Sequence, residues 1–185
     1  MAIISINEKN NHDTEGNPCS VPSVIGLPVQ FFLTASGDGK GTYNLNGDYS
    51  SSPIDFYYQA TTNYYLQTLL ISISDNANFN QTDYGAITGG LTNGIKFFVK
   101  PNGLSEIPLL SGIGFKQNYE WLSVTPDSKL TSFAGLSQTL TVDFNVTAEY
   151  GMPIKLSDGD RFIARLNDNF SSLVSQTIGI RGRKV

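Results

Sequence analysis

Charged side chains are scarce in this sequence: Lys, Arg, Asp and Glu make up 15% of its 185 residues, where ordinary soluble domains carry about a quarter. Histidine and cysteine are scarcer still, with one of each, His12 and Cys19. A lone cysteine excludes an intrachain disulfide, and with it a small secreted module built on such bonds. One His and one Cys cannot supply the three or four nitrogen and sulfur ligands of an ordinary zinc site. A Ser–His or Cys–His catalytic pair would rest on His12, which stands in a polar run with no apolar neighbour to orient it. Runs of Ala, Glu, Lys and Arg of the kind surface helices use are missing as well. No stretch reaches the apolar length that crosses a membrane, since even Tyr64 to Ile73 is interrupted by Gln67, Thr68 and Ser72. The segment Met1 to Lys9 has no basic start followed by an apolar core and a cleavage site, so synthesis in a cytoplasm is expected.

Uncharged polar residues fill the gap: 57 of the 185 residues are Ser, Thr, Asn or Gln. With 18 Gly, 8 Pro and 11% aromatics, the composition suits pleated strands joined by tight turns. The length fits one domain with an N-terminal appendage. Net charge is −4 and the pI is near 4.8, which argues against a broad nucleic-acid surface. The local exception is Arg181, Arg183 and Lys184 at the C-terminus, read either as a solvated basic tail or as a contact for an acidic neighbour.

Residues 1–27 divide into a strand-like piece (Ile3, Ile4, Ile6), a polar run and a Pro-punctuated extension. They cannot form a core alone, so they are either a floppy tail or an extended arm that orders against a neighbouring surface. Residues 28–185 are expected to form the β domain. In Leu140 to Tyr150 every even position is apolar and every odd one polar, which predicts one half-buried strand over all eleven residues. Tyr64 to Asp75 reads as a long central strand, with Leu69, Ile71 and Ile73 on one face and Leu70 breaking the alternation. Further strands are expected at 29–35, 56–60, 95–100, 154–156, 161–166 and 174–181. Tight reversals between antiparallel strands are expected at Asn93-Gly94 and Asp158-Gly159. Between Pro101 and Ser137 the pattern allows a long loop with a helical turn near Gln117 to Leu122, or another strand. The fold class expected is all-β: an antiparallel sandwich, jelly-roll-like.

Asp143 and Glu149 on one strand would lie about 20 Å apart, too far to act on one glycosidic bond. The oxygen-rich loop Asp75 to Gly85 has alternating amides at Asn76, Asn78 and Asn80 but not the spacing of a calcium loop, with Gln81 in the sharp-turn position and Ile87 in that of the bidentate acid. The segment Ser36 to Thr42 lacks the spacer and helix of a phosphate loop and reads as a turn. Tyr57 and Tyr64, in an aromatic cluster with Phe56, Tyr58 and Tyr65, are candidates for a subunit interface or a sugar-stacking surface, with plain core and edge packing the other reading. Neither a catalytic residue nor a cofactor or metal ligand is indicated.

Tyr64 to Asp75, Asp83-Tyr84-Gly85, Leu91 to Ile95, Gly151 to Leu156 and Leu173 to Gly182 together resemble structural proteins of bacteriophage particles, including β-sandwich capsid and vertex proteins. The likeness lies in strand texture and turn placement over about half the chain. It implies a non-enzymatic virion component that binds copies of itself or a shell protein, as a decoration, vertex, tail or spike element. The contact residues this suggests are Ile3, Ile4, Ile6, Tyr57, Tyr64, Arg181, Arg183 and Lys184. The alternative is a carbohydrate-binding module whose loop aromatics stack on a glycan.

Overall fold

A computed structural model describes residues 26–40, 43–110, 115–124, 129–133 and 137–185. The expected arm, with Ile3, Ile4 and Ile6, lies outside these residues except for its last two positions. Among the described residues ten strands and two short helices follow along the chain. They are β1 (Leu27–Phe32), β2 (Ile54–Gln59), β3 (Tyr64–Asp75), β4 (Lys96–Lys100), β5 (Ile107–Leu109), α1 (Asn118–Val124), β6 (Lys129–Phe133), β7 (Ser137–Asn145), α2 (Val146–Tyr150), β8 (Ile154–Leu156), β9 (Arg161–Leu166) and β10 (Ser175–Lys184).

The chain is all-β, in two antiparallel sheets. One runs β1-β10-β3-β7-β6, with β8 also on β3, and the other runs β2-β9-β4-β5. The pairing is nested. The first strand pairs with the last, β2 with β9, β3 with β7 and β8, and β4 with β5. Inward-facing residues of both sheets join one hydrophobic cluster, with Leu66, Leu69, Ile71, Leu140, Val142 and Ile180 from the first and Phe56, Phe97, Phe162 and Ala164 from the second. Phe31 of β1 stacks on Tyr58 of β2 with ring centroids 4.0 Å apart, tying the sheets together beyond simple area burial.

In β3 Leu70 is half-buried on the outward face, and the break in the burial alternation lies earlier, at Gln67 and Thr68. The register of β3 against β10 jumps from Arg181↔Thr68 to Gly182↔Leu66, leaving Gln67 as an extra residue. This bulge reverses the inward parity, so Tyr64 and Leu66 face the core before it and Leu69, Ile71 and Ile73 after it. Opposite the bulge the backbones close up, and a Cβ on Gly182 would collide with the Tyr65 carbonyl oxygen.

The eleven-residue alternating strand is half right. Leu140, Val142 and Phe144 are buried as its period requires, but the strand stops at Asn145 and residues 146–150 form α2. Asn145 caps that helix, its side chain accepting from Ala148 N at 2.9 Å, and Gly151 ends it in the left-handed region at φ 73°. The helix is thus capped at both ends by local interactions, and Ala148 and Tyr150 are exposed on it.

The two turn expectations also need correction. Asp158-Gly159 is a tight turn, closed by Asp160 N to Ser157 O at 3.0 Å, yet it joins β8 of one sheet to β9 of the other. Asn93-Gly94 lies on the approach to β4 and does not link paired strands. There the backbone N–H groups of Thr92, Asn93 and Gly94 converge on the buried Asp168 carboxylate at 2.9, 3.1 and 2.9 Å. The 101–137 region holds a helix close to the expected turn, and also β5 and β6.

Candidate functional site

The outer face of the four-stranded sheet carries the most organised surface chemistry. Register sets its rows: Gln59, Arg161 and Lys100 stand side by side, then Tyr57, Ile163, Phe98 and Pro108, then Asp55, Arg165 and Lys96. Ile163 is only 3% exposed yet does not belong to the core cluster. It stands between Tyr57 and Phe98 across the sheet and between Arg161 and Arg165 along its own strand, a small second apolar centre on the outside. The Arg161 guanidinium lies over the Tyr57 ring at 4.7 Å and that of Arg165 over Phe98 at 4.8 Å, so each arginine stem covers apolar surface while its head stays polar.

The two arginines differ in their partners. Arg165 is bidentate to Asp55 at 2.7 and 2.8 Å and donates a further bond to Glu106 at 3.1 Å. These bonds, those to Asp55 foremost, hold the guanidinium proton more tightly than usual. Arg161 instead gives its Nε–H to the neutral Gln59 Oε1 at 3.0 Å. Its charge has no carboxylate partner among the described residues, and its terminal nitrogens make no hydrogen bond within them.

At the Arg161 end of the sheet a cleft of about 220 Å³ opens. Gln59, Lys100, Asn102 and Arg161 line it, together with Pro101, Gly103 and Gly159 from the 101–103 and 157–160 turns. Lys100 Nζ reaches Glu106 only at 4.0 Å, and that carboxylate is already engaged by Arg165. Asp160, the carboxylate nearest in sequence, is turned into the turns, accepting from Asn102 N and Ser157 N at 2.8 Å each. The cleft is therefore rich in donors, with the Arg161 and Lys100 cations on its sheet side and the Asp158 and Asp160 carboxylates in the turn beside it.

The sequence-derived contact residues do not gather here as a set. Tyr57 does lie on this face, but its ring is held beneath Arg161 and against Gly37, and its hydroxyl donates to Ser36 O at 3.2 Å. Tyr64 is 1% exposed and donates to Val29 O at 3.3 Å. Burial raises its pKa well above that of a free tyrosine. It is a core residue, and its reading as an exposed contact is corrected: the bulge at Gln67 turns it inward. Arg181, Arg183 and Lys184 belong to β10 and form no tail. Arg181 lies 3.8 Å from Asp143, Arg183 donates to Gly26 O at 3.0 Å, and Lys184 is exposed.

The oxygen-rich loop is bound into the protein. Asp83 accepts from Gly89 N and Asn80 Nδ2, both at 2.9 Å. The buried Asn118 of α1 bridges Asn80 O and Gly85 O and accepts from Gly85 N at 2.7 Å. Among the described residues no group of three His, Cys, Asp or Glu is placed to hold a metal ion, and no helix is long and apolar enough to cross a membrane. The segment compared with a phosphate loop turns back on Asp38, which accepts from Ser36 Oγ and Lys40 N at 2.8 and 2.9 Å.

Sequence reasoning passed over Arg161, Lys100, Gln59 and Asn102. The alternation of Arg161, Ile163 and Arg165 against buried Phe162, Ala164 and Leu166 carried the only signal, and it marks a face without saying which arginine is compensated. No family model matches the chain, and neither does any curated protein or solved structure.

Proposed function

We propose that the chain is a non-enzymatic assembly protein of a virus particle, a jelly-roll β-sandwich that associates with copies of itself or with a shell protein, and that residues 1–27 act as an extended arm in that association. The nested strand pairing carries this reading. First with last, second with second-last and inward to β4 with β5 supports a jelly-roll reading, an architecture used by viral capsid domains as well as lectins and cupins. The architecture alone does not name a function, and the surface chemistry narrows it. The cleft groups are amides and cations, which suit the binding of anions and hydroxyls.

Association by adding a strand is disfavoured at three sheet edges. Pro28 interrupts β1 and Pro108 interrupts β5, while β2 is covered by Thr34, which pairs with Tyr57, and by Gly37 O, which accepts from Gln59 N at 2.8 Å. Side-chain faces are left for contact. The outer face of the six-stranded sheet offers an uncharged lattice of Thr177, Ser72 and Thr141 beside Ser175, Ser74 and Thr139, and Leu104 and Ile107 are exposed near the β5 edge. Light scattering coupled to size exclusion over a concentration series tests the proposal. A defined oligomer is the expected result, and a monomer at every concentration that also fails to co-sediment with particles refutes it.

A further inference from the structure

We propose that the cleft formed by Arg161, Lys100, Gln59 and Asn102 is a binding site for a compact hydroxylated anion, the carboxylate-bearing ring of an acidic sugar. Four observations carry this. The first is the contrast along β9: Arg165 is neutralised by Asp55 and Glu106, whereas Arg161, on the same face of the same strand, is anchored by an uncharged amide. An arginine fixed by ring stacking and one Nε bond presents its remaining fork in a set direction, the geometry that a planar carboxylate matches with two parallel bonds.

The second is that no carboxylate among the described residues is bonded to the Arg161 guanidinium, although Asp158 and Asp160 stand in the adjoining turn. Lys100 stands beside Arg161 in the register and its only carboxylate contact is at 4.0 Å, while Asp160 is occupied by backbone donors. Third, the amide groups at the cleft are available: Asn102 makes no side-chain hydrogen bond among the described residues, and Gln59 uses only its oxygen. Amides donate and accept in pairs, which suits ring hydroxyls and has little use against a bare halide or an alkyl acid. Fourth, a cleft of about 220 Å³ is smaller than the roughly 300–1,000 Å³ of drug-sized sites, so it admits a single ring.

The test is nitrogen-15 NMR titration of the full chain with D-glucuronate, D-glucose and sodium sulfate in separate arms. The amides of Asn102, Gly103 and Gly159 are expected to shift with glucuronate, weakly or not at all with glucose, and less with sulfate. Lys100→Gln, at a half-exposed side chain, is expected to weaken glucuronate binding about tenfold, the loss of one charge-assisted contact. Arg161→Lys keeps the charge but not the fork and is expected to weaken it at least as much. Lys155→Gln, an exposed cation on β8, is expected to leave it unchanged. Sulfate binding as tight as glucuronate, no saturable shift at the cleft, or equal loss in Lys155→Gln and Lys100→Gln would each overturn the assignment.

Discussion

Asp168 holds three consecutive backbone N–H groups of the 92–94 segment and is 6% exposed, so replacing it tests whether a buried carboxylate organises the approach to β4. In Asp168→Asn one oxygen becomes an NH2 group facing the Gly94 or Thr92 N–H. One charge-assisted bond, about 1.5–3 kcal/mol, is lost outright and a buried donor is left without an acceptor. The remaining bonds keep a neutral acceptor in place of a charged one. The net expectation is a loss of about 2–3 kcal/mol for Asn, rising to about 4–5 for Ala, where all three donors lose their acceptor. With a urea slope of about 2 kcal/mol per molar for a domain of this size, the midpoints fall by about 1 M and 2 M. Equilibrium urea denaturation followed by far-UV circular dichroism measures both. An Asn variant within about 0.5 kcal/mol of the parent, the range of ordinary surface changes, would refute the view that this carboxylate is a structural clamp.

Two further perturbations follow from the core. Gly182→Ala forces a Cβ onto the Tyr65 carbonyl and is expected to cost about 3 kcal/mol, the upper end for overpacking. Gly179→Ala, whose Cβ would meet Phe31 O at 3.1 Å, is expected to cost distinctly less, and thermal melts of the pair should separate them by several degrees. Burial raises the pKa of Tyr58, Tyr64 and Tyr84, so the fold favours their neutral forms. Their stabilising contribution is complete below the ordinary tyrosine value of about 10 and declines as pH rises past it. Tyrosinate absorbance of the buried rings should therefore appear together with loss of the fold, and full ionisation of every tyrosine in an intact fold would contradict the burial.

Much of the fold was legible because β-strands advertise a period of two. Tyr64 to Asp75, Ile154 to Leu156 and Arg161 to Leu166 have the ends that pattern gives them. The failures share a cause: a local or cross-strand interaction overrode the period. Asn145 and Gly151 are both recognisable helix caps, but apolar residues at 146, 148 and 150 made the strand reading look unbroken. The Gln67 bulge needs β10 to define it, so the inward turn of Tyr64 has no signature within β3 itself. Asp168 likewise lies more than seventy residues from the N–H groups it gathers, and a dipeptide such as Asn93-Gly94 carries the same turn signal whether it closes a hairpin or wraps a carboxylate.

The candidate site was hidden for a related reason. Arg161 and Arg165 occupy equivalent positions in an alternating strand, and nothing local distinguishes them. Their difference arises from residues brought alongside from elsewhere: Asp55 and Glu106 at one end of the sheet, Gln59 and the 101–103 turn at the other. A cation with two carboxylates has little free energy left to offer a ligand, since any incoming anion must displace an existing bond of the same kind. One beside an amide displaces only water. The outer sheet face thus divides into a clamp, where Arg165 fastens β9 to β2 and to the segment before β5, and an open end where Arg161 and Lys100 keep their charge available. Sequence fixes how many cations the chain has, but the placement of its few acids decides which of them can bind anything.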